Sequence, residues 1–283
     1  MDSNLKLNDH KIDAWCHAAL ILAKKIGVGS KKANSDLSEL INNFGSIRGV
    51  YRNYFSMIPL EKDIVTHLDR VFSKIPYNFG VLNIADEDYP AALKGVYGAP
   101  PIIYYRGDKK IFSLKRSIAF VGTRNLDASQ YIEQGINAIK RLKNAGFEVL
   151  VSGLAKGSDT LGHKVAIEIG MKTIAVLGTP LTVSYPAENK NLQEEIASQH
   201  LLISEYPMGI KTQGSYFANR NLTTVSLSRE GIIVARAGDK SGTQHAIRTC
   251  VEQSKNVYVL ENNIYENEYL WLAKYKKNIK LIR

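Results

Sequence analysis

Ser152, Gly153, Lys156 and Gly157 stand in one run, Val151-Ser-Gly-Leu-Ala-Lys-Gly-Ser-Asp-Thr-Leu-Gly-His163, whose residue types suit the binding of an anion. Two glycines let the backbone turn tightly and approach a ligand. Amide N–H groups, a hydroxyl and an ammonium then converge where the following pattern predicts a helix N-terminus. A second turn of this kind lies upstream in Ile118-Ala-Phe-Val-Gly-Thr-Arg124, where an apolar run ends in Gly122 and is followed by Thr123 and Arg124. A guanidinium can grip a phosphate through two parallel hydrogen bonds. Two such turns on one sheet predict a surface that holds more than one phosphate.

The elements that must position these turns are legible from residue 117 onward, where short apolar runs alternate with helix-length polar segments. Strands are predicted at Ser117 to Val121, Phe147 to Val151, Thr173 to Leu177, Leu201 to Ser204, Gly231 to Ala235 and Asn256 to Leu260. Between the first two, Ile132, Ile136, Ile139 and Leu142 recur at helical intervals and Gly146 suits the helix stop. Alternation of this kind predicts an α/β fold, an extended Rossmann-like parallel sheet with helices on both faces. Ligands on such sheets bind beyond the carboxyl ends of the strands, where Gly122, Gly153 and Gly178 stand. Residues 1–75 read as a small all-α domain of helix-hairpin-helix or SAM-like type, with Trp15, Ala18, Ala19, Leu22 and Ala23 as its first apolar stripe. Its Ile26-Gly-Val-Gly29 turn is either a phosphate-binding hairpin or an ordinary interhelical turn. The second domain is expected over 76–283, with 76–116 a Pro- and Gly-punctuated connector that lays one extra strand on it, and with no separate C-terminal domain.

Charge and motif content narrow the chemistry. The 283 residues carry 37 Lys and Arg against 27 Asp and Glu, a formal charge of +10 that favours polyanionic partners. Cys16 and Cys250 are far apart with no metal-ligand spacing, so no metal site is expected and a reducing, cytoplasmic compartment fits best. No apolar run approaches the roughly 18 residues that span a bilayer, and no membrane partner is expected. Neither GxGxxG after the first strand nor GxxxxGK[ST] occurs, which argues against NAD and ordinary ATP hydrolysis, and no cofactor is expected. Asp159 and His163, four residues apart, could pair as acid and base, but no nucleophile or ligand cluster accompanies them. Asp159 is read as orienting its loop and His163 as capping or packing, so no catalytic residue is assigned and the chain is read as a non-enzyme.

Several of these runs together resemble one family. Val121-Gly-Thr-Arg124, Ser152-Gly-Leu-Ala-Lys-Gly-Ser-Asp159 with His163, Gly178 with Tyr185-Pro186 and Asn189, Ser204-Glu-Tyr206 and Lys240-Ser-Gly-Thr243 resemble the DprA/Smf DNA-processing family. The resemblance takes in Asp86-Glu-Asp-Tyr-Pro90, Pro100-Pro101 and Arg106-Gly-Asp108, and spans roughly residues 15 to 260 in order. It implies a protein that binds and protects single-stranded DNA, loads the recombinase RecA during DNA uptake or recombination, and forms a homodimer. It implies further that Arg124 meets a DNA phosphate, that Ser152, Gly153, Lys156 and Gly157 form a second phosphate-facing loop, and that Lys240, Ser241, Gly242 and Thr243 belong to the same surface. The run Lys211-Thr-Gln-Gly-Ser-Tyr-Phe-Ala-Asn-Arg-Asn-Leu222 resembles the segment supplying a lysine, an aromatic stacker and Arg-Asn-Arg. Lys211, Gly214, Ser215, Tyr216, Arg220 and Asn221 follow as candidates, with Tyr216 stacking a base.

The chain departs from the pattern at Ser158, where the family has Ile, at Pro180, Thr182 and Leu222, at Arg236 where an acid is common, and at Glu261-Asn262 in place of Pro-Gly. Past Leu260 the resemblance fades, and no room is left for the winged helix that members often carry. Two rival readings share the fold: a phosphoribohydrolase-like enzyme that cleaves a nucleotide's glycosidic bond, and a nucleotide-sensing module. The first would need an acid shortly after Lys240-Ser-Gly-Thr243, and none follows.

Overall fold

The computed structural model describes residues 8–126, 129–265 and 269–282. Four helices come first, α1 (Asp9–Leu22), α2 (Lys31–Phe44), α3 (Ile47–Phe55) and α4 (Lys62–Ser73). Then follow β1 (Gly80–Asn83), β2 (Ile102–Gly107), β3 (Ser117–Val121), α5 (Ser129–Asn144), β4 (Val149–Ser152), α6 (Ser158–Glu168) and β5 (Lys172–Leu177). The remainder is α7 (Lys190–Gln199), β6 (Leu201–Ser204), α8 (Gly214–Asn219), α9 (Asn221–Leu227), β7 (Gly231–Val234), α10 (Thr243–Glu252), β8 (Asn256–Leu260), α11 (Leu270–Lys274) and β9 (Ile279–Ile282). None of the described helices is long and apolar enough to cross a membrane.

The chain divides into two compact units. One holds residues 1–106, 177–183 and 203–219, and the other holds 107–176, 184–202 and 220–283. The first unit therefore extends past the helical segment expected to end at 75, because β1 pairs antiparallel with β2 and the Val81 amide donates to His10 of α1. Its helices start where short polar residues cap them. Asn8, Ser30 and Ser46 accept from the amides of Lys11, Ala33 and Gly49. Gly45, at φ 77°, ends α2 one residue before the next cap, so α2 and α3 meet at a tight corner.

Strand order is β1-β2-β6-β5-β4-β3-β7-β8-β9, and the sheet is mostly parallel. The six strands expected from the sequence are present, three of them with the expected bounds. Two further strands were not anticipated. The connector contributes a β1–β2 hairpin pair where one strand was expected, and the lysine-rich tail contributes β9, parallel to β8. In the second unit β3 lies between β4 and β7, with β5 beyond β4 and β8 beyond β7. The connections run one way from β3 and later resume on its other side, so a topological switch point opens between the loops after β3 and β7. Ile118, Phe120, Ile139, Leu150, Val165 and Ile233 form the core between this sheet and helices α5 and α6.

Candidate nucleic-acid interface

Three loops of the second unit meet at the carboxyl edge of the sheet and are bonded to one another. The Thr123 amide, just after β3, donates to the Arg236 carbonyl, just after β7, at 2.8 Å. The Thr123 carbonyl accepts from the Ser158 amide at 3.1 Å and the Ser158 hydroxyl at 3.0 Å, which ties in the loop after β4. Gly157 has φ 77°, and a Cβ there would lie 2.5 Å from the Arg124 carbonyl oxygen and 2.6 Å from that of Thr123. Only glycine fits that approach. At Gly122 an added Cβ would stand 2.4 Å from Ser158 Oγ, so the hydroxyl that replaces the family's isoleucine is seated against the first loop.

Under these loops lies a buried polar floor. The Arg220 guanidinium donates to the Gly153 carbonyl at 3.1 Å and to Asp159 Oδ2 at 3.3 Å, with the two side chains 6% and 9% exposed. Arg220 also reaches Asn221 Oδ1 and Thr224 Oγ1, each at 3.4 Å, while its Nε is buried with no partner among the described residues. Asp159 Oδ2 accepts from the Ala155 amide at 3.2 Å, so the aspartate orients its loop. Ser152 is fully buried and donates to the Phe120 carbonyl at 2.6 Å. Asn221 donates to the Gly242 carbonyl at 3.5 Å, which links the floor to the loop that carries Lys240. His163 is buried against Thr173 Oγ1 at 2.7 Å, and burial, with the Arg220 charge adding to it, lowers its pKa to about 3. A histidine held neutral in the core packs and does not shuttle protons at ordinary pH.

The expected ligand set therefore separates into two groups. Arg124, Lys156 and Lys240 are exposed, as is Gly242, and Gly122, Thr123, Gly157 and Ser241 are half-buried beside them. Ser152, Gly153, Arg220, Asn221 and Thr243 are buried, and the first four are hydrogen-bonded beneath or between the loops. Around Gly153 there is no space for a Cβ, since the Arg220 Nη2 would lie 1.6 Å from it.

In the first unit, Lys211, Gly214 and Ser215 are exposed, but Tyr216 is not the platform expected of it. Its side chain is 3% exposed and its ring stacks on Tyr206, with centroids 4.0 Å apart and planes 8° apart. The Tyr206 hydroxyl donates to the Tyr216 carbonyl at 3.1 Å, so one ring face is already occupied in the core. Phe217 is half-buried, and its Cδ1 lies 2.7 Å from where a Cβ on Gly178 would stand. The Gly-Val-Gly turn is likewise committed to the fold. Gly29 is buried at φ 80°, its amide donates to Asn34 Oδ1 at 3.2 Å, and Tyr206 fills the space beside it. That amide is taken, which favours the interhelical-turn reading.

Sequence reasoning gave no role in holding the loops to Asn263, Asp239 or Trp271, and noted Arg236 only as a departure from the family pattern and Asn189 only as a match to it. Asn263, fully buried, accepts from the Ala237 amide at 3.2 Å and donates to the Ala235 and Leu260 carbonyls at 2.8 and 3.1 Å. The Asp239 carboxylate accepts from the Leu270 and Trp271 amides, and Trp271 Nε1 donates to the Ala237 carbonyl at 2.6 Å. Arg236, found where an acid is common, lays its guanidinium 4.7 Å from the Tyr131 ring centre. Asn189 donates to the Leu154 carbonyl at 3.0 Å and to Thr160 Oγ1 at 2.7 Å. A buried asparagine beyond the end of the resemblance leaves no periodic signal. Among the described residues, no group of three or more His, Cys, Asp or Glu is placed to hold a metal.

The family model described as DNA recombination-mediator protein A matches residues 80–271, which include all three of these loops. The chain belongs to that family. DNA recombination-mediator A relatives include the DNA processing protein DprA of Streptococcus pneumoniae, 36% identical over 203 residues that cover 71% of this chain and 68% of that protein. DprA of Bacillus subtilis is 35% identical over 65% of this chain and 61% of its own length. Protein Smf of a Synechocystis strain is 35% identical, and the alignment covers 63% of this chain and 45% of that one. Among solved members, the S. pneumoniae DprA structure matches 98% of this chain and 90% of its own, with a TM-score of 0.69 and 29% identity. DprA from Helicobacter pylori, described for its single-stranded DNA binding mode, matches 73% of this chain and 92% of its own, with a TM-score of 0.64 and 28% identity.

Proposed function

We propose that this member of the family binds single-stranded DNA along the carboxyl edge of the second unit's sheet, with phosphates on Arg124, Lys156 and Lys240. The observation that carries the reading is the bonding of the loops after β3, β4 and β7 through Thr123, Arg236 and Ser158, with exposed cations on all three. Gly242, with no atom within 4 Å of where a Cβ would stand, leaves backbone open to a close approach by phosphate, whereas Gly122 and Gly157 serve the packing of the loops on one another. The Ser241 hydroxyl oxygen is buried in the loop that carries Gly242, with no partner among the described residues. Within the first unit, Lys211, Gly214 and Ser215 are exposed and are proposed, on the family resemblance alone, as contacts of their own. The protein would act as a homodimer in the cytoplasm, shielding the strand and passing it to RecA during DNA uptake or recombination. The solved H. pylori relative, whose description names single-stranded DNA binding, supports the choice of ligand.

Binding of this type is dominated by counterion release, so affinity should fall steeply with salt and show little dependence on base sequence. Titration of a labelled oligonucleotide at several salt concentrations tests it, and absence of single-strand affinity in low salt would end the reading. The nucleotide-cleaving alternative gains no support from the site, because Asp159 is held in an ion pair under the loop by Arg220 and the Ala155 amide.

A further inference from the structure

We infer that Tyr185 forms a base-stacking subsite beside Lys156, the role for which Tyr216 is too deeply buried. The inference rests on the single-stranded DNA reading above. Tyr185 is 47% exposed, whereas Tyr216 is 3% exposed. Three residues further on, Glu188 Oε1 stands 3.8 Å from Lys156 Nζ, and Asn189 is bonded to Leu154 and Thr160 of the same phosphate-facing loop and its helix. The segment that carries Tyr185 is thus pinned to the loop that carries Lys156. An aromatic on a pinned segment loses little freedom when a base stacks on it, which favours binding.

Charge arrangement beside it is consistent with a backbone that passes Lys156. The Lys156–Glu188 pair is weak in the free protein, since the side chains are 65% and 58% exposed and solvent screens them. A phosphate oxygen can displace the carboxylate, leaving the Lys156 cation for the backbone and, three residues before Glu188, the Tyr185 ring for the base. Alternating cation and ring is the pattern by which proteins hold single strands without reading sequence.

The test is a titration of labelled oligothymidylate at several salt concentrations with wild type, Tyr185→Ala, Tyr185→Phe and Lys156→Ala, each checked for folding by thermal melting. Stacking is carried by the ring and not by charge, so Tyr185→Ala should weaken binding by about tenfold with the salt dependence unchanged, and Tyr185→Phe should bind like wild type. Lys156→Ala should instead flatten the salt dependence. In wild type, an oligonucleotide containing 5-iodouracil should cross-link to Tyr185 on irradiation, which needs no variant to fold. Wild-type binding that Tyr185→Ala leaves intact, with no cross-link at Tyr185, would overturn the subsite alone. Failure of wild type to bind would overturn it together with the function proposed above.

Discussion

The hydroxyl of Ser158 donates to the carbonyl of Thr123 at 3.0 Å, and the Ser158 amide donates to the same oxygen at 3.1 Å. One residue at the start of α6 thereby fixes the loop that carries Arg124. Ser158→Ala should cost about 1 kcal/mol, the net worth of one hydrogen bond, as read in urea unfolding. Ser158→Ile, the family's residue, should cost more, because Ser158 is fully buried and the added carbons overpack the site. A Ser158→Ile protein as stable as wild type would show that the loop yields more readily than its contacts imply.

Arg220 and Asp159 form a buried pair, and removing one charge leaves the other uncompensated. Asp159→Ala should therefore destabilise the protein by about 3 kcal/mol, well beyond the cost of an exposed pair. It should also release the Ala155 amide and loosen the loop around Lys156. A change under about 0.5 kcal/mol in denaturant unfolding would mean that water reaches the guanidinium.

Tyr216→Phe keeps the ring stacked on Tyr206 and should preserve both stability and DNA affinity. Tyr216→Ala opens the core and should cost about 3 kcal/mol in stability. If Tyr216→Phe bound DNA several-fold more weakly while melting like wild type, the residue would have a role at the ligand that its burial argues against.

His17 and His163 are both fully buried, and burial lowers each pKa from 6.5 to about 3. Below pH 6.5 the unfolded chain takes up protons that the folded chain refuses, so stability falls as pH drops from about 6.5 toward 3. Each histidine should contribute up to about 1.4 kcal/mol per pH unit across that window. His163→Gln and His17→Gln should each flatten the slope of unfolding free energy between pH 6 and pH 4. An unchanged slope in both would place acid sensitivity elsewhere.

The sequence revealed all six strands of apolar runs, buried throughout in some and only partly in Asn256–Leu260. Ser117–Val121, Leu201–Ser204 and Asn256–Leu260 have the bounds their patterns predict. β9 was hidden because its lysine alternates with apolar residues at a sheet edge, where composition resembles a solvated tail. At the site, glycine and cation spacing revealed the loops, but not which polar side chains are buried. Ser152 and Arg220 have the composition of ligands and the environment of core, and their burial depends on partners far off in the chain, Phe120 for Ser152 and Asp159 for Arg220. Tyr216 illustrates the same limit, since its partner Tyr206 lies across a turn that has no periodicity to read.

The central claim is that Arg124, Lys156 and Lys240 neutralise the phosphates of a single strand. Its most direct test is the slope of log affinity against log salt concentration for single-stranded DNA, in wild type and in Arg124→Ala. Each phosphate contact contributes about 0.7 to that slope for a single strand, so Arg124→Ala should bind more weakly and lower the slope by about that amount. Binding whose slope is the same with and without Arg124 would contradict the account.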